Sequence, residues 1–374
     1  MKGIKSANCR NVFRLIYREN AISKQEIARE LNMSLPTVSG HLATLKADNL
    51  ITDDEMFESV MGRRARAIRV NKDRFMALGL EITPECVNLS ALNLKNEIID
   101  CKQTRITYER NQAYCETVQK LARQYVCQRE LSDRRLTGVG ISVPAIVDGR
   151  DNRIVSSYVL GLEDYLFENA QWEMDCPIKL FNSPKAAAIT ELTGKSQDEA
   201  SSFVYLWIGA NIGSSIIYEN RRLVGNHFRE GEISHLPIVP DGKPHYCGKN
   251  GCFGAYCELN ELAKLSNHDI AAFFSGLKEH KKDFEKAWDE YLRYLAMGIN
   301  SLRTLFDLDI VLGGDLALYI EGYMDALQEK IREISRFSES GDYIHLAGVK
   351  QYAASIGAAQ QMNLEFLKGC GVLD

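Results

Sequence analysis

The chain has 374 residues, of which 45% are apolar and 25% charged, and its formal net charge is −5. This length predicts two or three domains, and the composition is typical of a soluble globular protein. The sequence has no apolar run near the roughly 18 residues of a membrane span, and its early charges exclude a secretory signal. No membrane association and a cytoplasmic location are therefore expected.

The charge is distributed unevenly along the chain. Residues 1–72 contain 13 Lys and Arg against 8 Asp and Glu, an excess of five positive charges, whereas the remainder has 32 against 42. A basic segment attached to an acidic body indicates a polyanionic partner for residues 1–72 alone.

Three short helices are predicted in the basic segment. The first covers residues 8–19 and has one apolar face. Ser23 and Glu26 then form an S-x-x-E capping box, and Ser34 is a favourable N-cap for a third helix with Pro36 in its first turn. Two short helices joined by a tight turn are typical of a helix-turn-helix, whose second helix enters the major groove. The candidate base contacts on that helix are Thr37, Ser39 and His41.

A β-hairpin is predicted next, over residues 50–55 and 66–70, and its tip carries three arginines after Gly62. Such a tip suits phosphate contact or insertion into the minor groove. Together with the helices, the hairpin predicts a winged helix-turn-helix over residues 1–72, with double-stranded DNA as its partner. The alternative is a solvated basic hairpin on a protein-binding helical domain. The candidate wing contacts are Arg63, Arg64 and Arg66.

A strand-rich body follows the polar linker at residues 71–74, which is too short to uncouple the two parts. The pattern predicts two similar series of elements, each with strands, a helix and a further strand. Strand hairpins followed by βα units, twice over, predict two α/β lobes with a cleft between them. The predicted strands are 77–82, 86–93, 97–106, 138–143, 203–208, 214–218 and 310–312, and the predicted helices are 114–129 and 291–306.

Histidines and cysteines are concentrated in residues 235–252. One His is followed ten residues later by H-x-C-x4-C, which supplies four nitrogen and sulfur ligands at short loop spacings. Zinc takes four such ligands in closed structural sites, and Gly248 and Gly251 allow the sharp turns required. The other interpretation is a reduced cysteine pair, as the remaining cysteines are expected to be reduced core thiols. The predicted zinc ligands are His235, His245, Cys247 and Cys252.

The chain resembles the ROK family, named for its repressors, open reading frames and sugar kinases, along nearly its whole length. The resemblance implies a winged helix-turn-helix followed by a two-lobed actin- or hexokinase-like α/β domain. It places lobe 1 at residues 77–180 and 352–374, and lobe 2 with the zinc loop at 181–351. The motifs that carry it are SKQEIARELNMSLPTVSGHL, GRR, GVGISVPAIVDG, NSPKAAAITE, GEISH, CGKNGC and IVLGG.

Two motifs that the family's kinases use for phosphoryl transfer are altered here. Their D-x-G-G-T hairpin corresponds to residues 81–85, where Pro84 lacks an amide donor and Glu85 would repel phosphate. Their catalytic Asp corresponds to Ser183, which cannot act unassisted as a base near neutral pH. The sequence therefore predicts that the body is not an enzyme.

The resemblance implies that Asn182, Glu232 and His235 would hold a sugar, because planar polar groups pair with neighbouring hydroxyls. In the family this His also binds zinc, so the metal would order the ligand loop. His245 stands where the family has its first metal-binding Cys. The pocket is either adapted to a different or modified sugar or vestigial. Further departures from the family's pattern are Ala145, Phe228, Glu230, Ser234 and Gly254.

These features predict a DNA-binding regulator of carbohydrate metabolism genes, with repression as the expected sign and a carbohydrate as the expected effector. Winged helices usually read paired half-sites, which predicts a homodimer or a dimer of dimers. The rival interpretations are a sugar kinase with a DNA-binding appendage, and a regulator controlled by a protein partner through a vestigial pocket.

Overall fold

A computed structural model of the chain describes residues 6–19, 21–56, 66–128, 131–170, 172, 174–192, 200–336 and 341–373, without the side chains of residues 54, 55, 56, 66, 168 and 169. These residues form a small N-terminal head and two larger lobes, each with its own sheet. None of the helices described combines the length and apolar character needed to cross a membrane.

The head is a three-helix unit with a two-stranded hairpin, as predicted. The capping box is present, with Ser23 accepting from the Glu26 amide and the Glu26 carboxylate accepting from the Ser23 amide. Ser34 accepts from the Thr37 amide and so begins the third helix. The elements are α1 (Ala7–Arg18), α2 (Lys24–Glu30), α3 (Leu35–Ala47), β1 (Ile51–Met56) and β2 (Arg66–Val70), the two strands being antiparallel.

Lobe 1 contains a five-stranded sheet covered on one face by a helix and extended by a small three-stranded sheet. Strands 3–5 form an antiparallel meander, and strands 6 and 10 add in parallel, giving the order 5-4-3-6-10. The elements are β3 (Phe75–Ile82), β4 (Cys86–Asn93), β5 (Ile98–Arg105), α4 (Gln112–Val126), β6 (Arg135–Val143), β7 (Ile146–Asp148), β8 (Arg153–Ser157), β9 (Leu162–Leu166) and β10 (Ile178–Asn182).

Lobe 2 repeats this arrangement. A meander of strands 11–13 is again extended by two parallel strands, in the order 13-12-11-14-15, and the helices pack over an apolar core. The repeated pattern confirms the prediction of two related α/β lobes. The elements are α5 (Ser183–Ala187), β11 (Phe203–Ile208), β12 (Ile212–Tyr218), β13 (Arg221–Arg222), α6 (Gly254–Cys257), α7 (Leu259–Ala263), α8 (Ile270–Lys278), α9 (Lys282–Phe306), β14 (Asp309–Gly313), α10 (Met324–Ile334) and β15 (Ile344–Leu346).

A last helix, α11 (Ala353–Gly369), joins all three bodies. Its first half is buried on every side, between the lobe 1 sheet and the short helix α5. A side chain at Gly357 would place its Cβ 1.9 Å from the Ala186 carbonyl oxygen, so only glycine allows this approach. Its last turn carries Leu367 and Cys370 into the core of the head, beside Phe13.

The head is therefore attached to lobe 1 by more than the linker at residues 71–74. Arg14 on α1 donates to the Val372 carbonyl at 2.9 Å, and Tyr17 donates to the Leu94 carbonyl at 3.2 Å. The Lys95 ammonium lies 4.3 Å from the centroid of the Tyr17 ring. The sequence identified the linker but not this second attachment, because the apolar residues after α11 carry no periodic pattern.

The shared core yields a test of how firmly the head is held. Leu367→Ala should lower the free energy of unfolding by about 2–5 kcal/mol, because it leaves a cavity between the head and α11. The exposed neighbour Lys368 supplies the control, and Lys368→Ala should change stability little. Differential scanning calorimetry should show head and body unfolding together in the wild type, and a separate head transition there would contradict the shared core.

Candidate functional site

The N-terminal turn of α3 forms the candidate DNA-reading surface. Thr37 is exposed, and its hydroxyl lies 2.8 Å from that of the capping residue Ser34. Gly40, one turn further along, is also exposed. This end of the helix presents short polar groups and a bare backbone, which allow a close approach to base edges.

Ser39 and His41 are less available than the sequence predicts, because both are half-buried. The Ser39 hydroxyl donates to the Leu35 carbonyl at 2.7 Å and accepts from the Lys24 ammonium at 3.0 Å. The Nε2 atom of His41 is buried and has no hydrogen-bond partner among the residues described. Lys24, which sequence reasoning missed, thus places a positive charge beside the reading helix.

The basic wing is only partly described. Arg63 and Arg64 lie outside the described residues, and Arg66 begins β2 without a described side chain. Their role in DNA contact stays a prediction.

The four predicted zinc ligands come together in lobe 2. One possible ligand atom from each of His235, His245, Cys247 and Cys252 lies within 4.8 Å of the other three. The Nδ1 atom of His245 is 3.1 Å from the Cys247 sulfur, which is 3.7 Å from the Cys252 sulfur. Tetrahedral zinc with bonds of about 2.0–2.3 Å requires ligand separations of about 3.3–3.8 Å, so small shifts of these side chains would form a closed site.

Local backbone structure positions these ligands. Gly248 and Gly251 have φ values of 80° and 78°, and these turns bring the two cysteines to the same side of the loop. Burial, with a contribution from His235, lowers the pKa of His245 to about 4. Its imidazole is therefore neutral at neutral pH, which is the form that binds a metal. Cys257, the nearby third thiol, lies in the lobe 2 core.

The three predicted sugar contacts differ in availability. Asn182 is buried, and its amide donates to the Ala145 carbonyl at 2.8 Å and accepts from the Lys185 amide at 3.1 Å. Its clear role is therefore to cap α5. Glu232 is half-buried, and burial raises its pKa, whereas Lys185 opposes that rise. His235 is exposed, with its ring centroid 5.3 Å from that of His245.

A buried ion-pair cluster lies beside these residues. The Lys185 ammonium is 2.8 Å from the Glu230 carboxylate, which also accepts from the Arg222 guanidinium at 2.7 Å. Lys185 additionally donates to the Phe228 carbonyl at 2.8 Å. The cluster ties α5 to the loop that carries Glu232, and removing one partner would leave a buried charge uncompensated. The sequence showed Glu230 only as a departure from the family's pattern, without its partners.

In the loop that corresponds to the kinases' phosphate hairpin, the backbone amides are already hydrogen-bonded within the loop. The Thr83 hydroxyl accepts from the Cys86 amide at 3.0 Å and from the Glu85 amide at 3.4 Å. The Thr83 amide donates to the Cys86 carbonyl, and Pro84 has no amide proton. This turn therefore offers a phosphate no free backbone donor.

A buried carboxylate adds to this unfavourable setting for phosphate. Glu81, at the end of β3, is fully buried and accepts from Asn88 at 2.9 Å. Burial, with a smaller contribution from the charge of Asp315 in lobe 2, raises the pKa of Glu81 to about 7, despite the opposing hydrogen bond from Asn88. Burial also raises the pKa of Asp315. Neither of these two acidic side chains supplies a positive charge that could bind phosphate.

Two contacts link the lobes across the cleft. The Tyr158 ring of lobe 1 stacks on Tyr246, with centroids 4.6 Å apart, and Tyr246 lies between two predicted zinc ligands. The Arg150 guanidinium of lobe 1 lies 4.8 Å from the centroid of the Phe228 ring. Both contacts involve loops that carry predicted effector residues or zinc ligands, so the two lobes touch each other beside these residues.

Comparison with known proteins agrees with this division of the chain. The ROK family model matches residues 77–363, and a model of winged helix-turn-helix DNA-binding domains matches residues 10–52. The xylose repressor of Bacillus subtilis is 23% identical over 380 residues, with 97% of each chain covered.

Two solved structures share the fold over most of the chain. A ROK family transcriptional regulator, described as a homologue of the Escherichia coli MLC protein, matches 99% of this chain and 100% of its own, with a TM-score of 0.77 and 20% identity. The ROK hexokinase of Thermus thermophilus matches 79% of this chain and 100% of its own, with a TM-score of 0.63 and 25% identity. The hexokinase match leaves about one fifth of this chain uncovered.

The buried Glu81 predicts a pH dependence of stability. Its pKa is higher in the folded than in the unfolded chain, so the contribution of Glu81 to stability is fully present below about pH 4.5 and is lost as the pH rises through about 7. Glu81→Gln should remove this loss, on the order of 3 kcal/mol at pH 8, since one pKa unit corresponds to about 1.4 kcal/mol. Urea unfolding at pH 5 and pH 8 measures the change. Glu85→Gln, on the exposed side of the loop, should behave as wild type, and equal pH profiles for all three proteins would contradict the argument.

Proposed function

This chain belongs to the ROK family, and from that premise we propose that it is a cytoplasmic DNA-binding transcriptional regulator, of repressor type, for carbohydrate metabolism genes. The observation that carries the proposal is the core shared by the winged helix-turn-helix and the kinase-like body. A DNA reader held in this way must respond to changes in the body.

The effector is proposed to be a carbohydrate bound in the cleft between the lobes. A relative of nearly equal length is named a xylose repressor, which supports a sugar as the class of ligand. Glu232 and His235 are the proposed contacts, because their side chains are not used to cap a helix as that of Asn182 is. The buried Lys185–Glu230–Arg222 cluster would fix the loop that presents Glu232.

Zinc is proposed as the metal of the His235, His245, Cys247 and Cys252 cluster. Two nitrogen and two sulfur donors in a closed group favour zinc over cations that prefer oxygen ligands. When bound, zinc would supply structural order rather than chemistry, since all four positions are filled by protein ligands. The chain's own contribution is to hold His235 and Tyr246 on one ordered loop at the edge of the cleft.

The body is proposed to lack kinase activity. The amides of the Thr83 turn are already bonded, Glu81 and Asp315 supply no positive charge for phosphate, and Ser183 offers no general base. The Ser183 hydroxyl is buried without a hydrogen-bond partner among the residues described, so no neighbouring base activates it there. The likeness to a hexokinase supports the fold of the body and a sugar-binding ancestry.

Regulation is proposed to pass through α11. The helix contacts α5, which follows the capping residue Asn182, and its far end lies in the core of the head. A ligand that binds one arrangement of the lobes better than the other would shift the head relative to its neighbour in a homodimer or a dimer of dimers. Because half-sites lie about 34–36 Å apart, a small shift would alter operator affinity.

The DNA-binding half is tested by salt dependence. Because each lost phosphate contact removes about 0.9 from the log–log slope of affinity against salt, the Arg63→Ala, Arg64→Ala double variant should lose about 2. Thr37→Ala should instead change sequence preference. Fluorescence anisotropy with a duplex selected by the wild type from a random library measures both effects. Lys102→Ala, on exposed β5, is the control, and an unchanged slope in the double variant would exclude the wing.

The effector half is tested by a thermal-shift screen over pentoses, hexoses, N-acetylated and phosphorylated sugars. Glu232→Gln should leave DNA affinity intact but weaken the effect of the best ligand on it, because the variant loses the charge and one of the two acceptor oxygens for sugar hydroxyls. Glu219→Gln, exposed in the turn between β12 and β13, should respond as wild type. If no carbohydrate binds, the vestigial pocket controlled by a protein partner is favoured, and ATP-dependent turnover of any sugar would contradict the loss of kinase chemistry.

A further inference from the structure

Glu258 is a buried carboxylate whose position no helix cap explains. It precedes α7, yet its side chain makes no capping hydrogen bond. Its side chain is only 12% exposed, and its Oε1 atom is buried without a hydrogen-bond partner among the residues described. An unpaired polar atom in such a place is costly, so a group that satisfies it should lie nearby.

The group facing it is the imidazole of His245. The Nε2 atom of His245 is 3.6 Å from Glu258 Oε1 and is also buried without a partner. The other ring nitrogen, Nδ1, lies 3.1 Å from the Cys247 sulfur. The ring therefore stands between the sulfur cluster on one side and a carboxylate on the other.

Gly254 provides the space for this arrangement. A Cβ at this position would lie 2.6 Å from His245 Nε2 and 2.9 Å from Glu258 Oε1, which is closer than real contacts allow. The backbone at Gly254 does not adopt the positive φ that would itself require glycine. Glycine is therefore required at this position because a side chain there would collide with both His245 and Glu258.

We propose that Glu258 is the outer carboxylate of the metal centre, accepting the Nε2 proton of His245 and holding its Nδ1 lone pair towards the metal. A ligating histidine commonly donates its second ring proton to a carboxylate, which fixes the tautomer and strengthens the metal bond. The inference rests on the proposed zinc site. In this proposal Glu258 is a positioning residue, and the absence of a side chain at Gly254 leaves room for its carboxylate beside His245.

This arrangement also connects the metal loop to the lobe 2 sheet. The residue after Glu258, Leu259, donates its amide to the Gly209 carbonyl at 2.9 Å, and Gly209 lies in the turn between β11 and β12. The carboxylate is thus anchored to the lobe rather than to the loop that binds the metal. His245 would thus be positioned by its own loop on one side and by a carboxylate anchored elsewhere in lobe 2 on the other.

The test measures zinc affinity of the full-length protein by competition with a chromophoric chelator. Glu258→Ala should weaken zinc binding about 10–100-fold, the usual effect of removing an outer-shell partner. Glu258→Gln should lose less, because its amide oxygen can still accept the Nε2 proton. Glu279→Gln, at an exposed acidic residue directly after α8, should retain wild-type affinity. Equal affinities for Glu258→Ala and wild type would overturn the proposal.

Two further measurements separate positioning from a structural role. With cobalt in place of zinc, the d–d absorption bands should shift in Glu258→Ala, because the His245 ligand is no longer fixed. Without metal, Glu258→Ala should melt no lower than wild type, since it removes a carboxylate that is costly to bury. A metal-free melting temperature that falls as far as the metal-bound one would assign Glu258 a structural role instead.

The two possible failures are distinguishable. If wild type binds no zinc, and His245→Ala changes nothing, the metal site itself is wrong. If wild type binds zinc through His245 while Glu258→Ala binds it equally well, only the role of Glu258 is wrong. Gly254→Ala should weaken zinc binding as well, because its methyl group would displace His245 or Glu258.

Discussion

The packing of α11 is the constraint on which the rest of the structure depends. A helix of 17 residues spans about 25 Å, which is long enough to touch both the cleft and the head. Its first half has no solvent-facing side, so it cannot move without moving the lobe 1 sheet or α5. Close-packed interiors respond to displacement as units rather than by continuous deformation. In the regulation proposed above, the helix would convert a change in the arrangement of the lobes into a change in the position of the head.

Polar pairs fix the register of this helix against lobe 1. The Ser355 hydroxyl lies 2.7 Å from that of Ser90, and Asn363 accepts from Thr137 at 2.9 Å and donates to the Asn93 carbonyl at 2.8 Å. Sliding the helix by one turn would break these buried hydrogen bonds, and each unsatisfied group costs about 1–3 kcal/mol. The apolar contacts hold α11 on the sheet, whereas these pairs decide where along the sheet it sits.

Short-range patterns in the sequence predicted the helices and strands well. They did not reveal contacts between residues that are far apart in the chain. The capping residues Ser23 and Ser34, and the strands 86–93 and 203–208, were readable because caps and strand patterns depend on neighbouring residues. The four His and Cys positions were readable because their loop spacing is short. By contrast, α11 is rich in Ala and Gly and has no single apolar face, so no periodicity marks it. The partners of Lys185 and Glu258 lie 45 and 13 residues away in sequence, at positions that only the folded chain brings together.

If the body lacks kinase activity, as we propose, the charges around the Thr83 turn and Lys185 explain how it would serve regulation instead. A kinase must keep donors and cations free for phosphate, whereas here the Thr83 turn binds its own amides and Lys185 is paired with Glu230. Groups satisfied in this way rigidify the loops around the cleft, and only a few polar side chains, such as Glu232, stay available for a ligand. A ligand would then gain little binding energy from rearranging these loops. Most of its binding energy would come from contacts with both lobes. Such a ligand would favour one arrangement of the lobes over the other. A DNA-binding head joined to the lobes through α11 would respond to that preference.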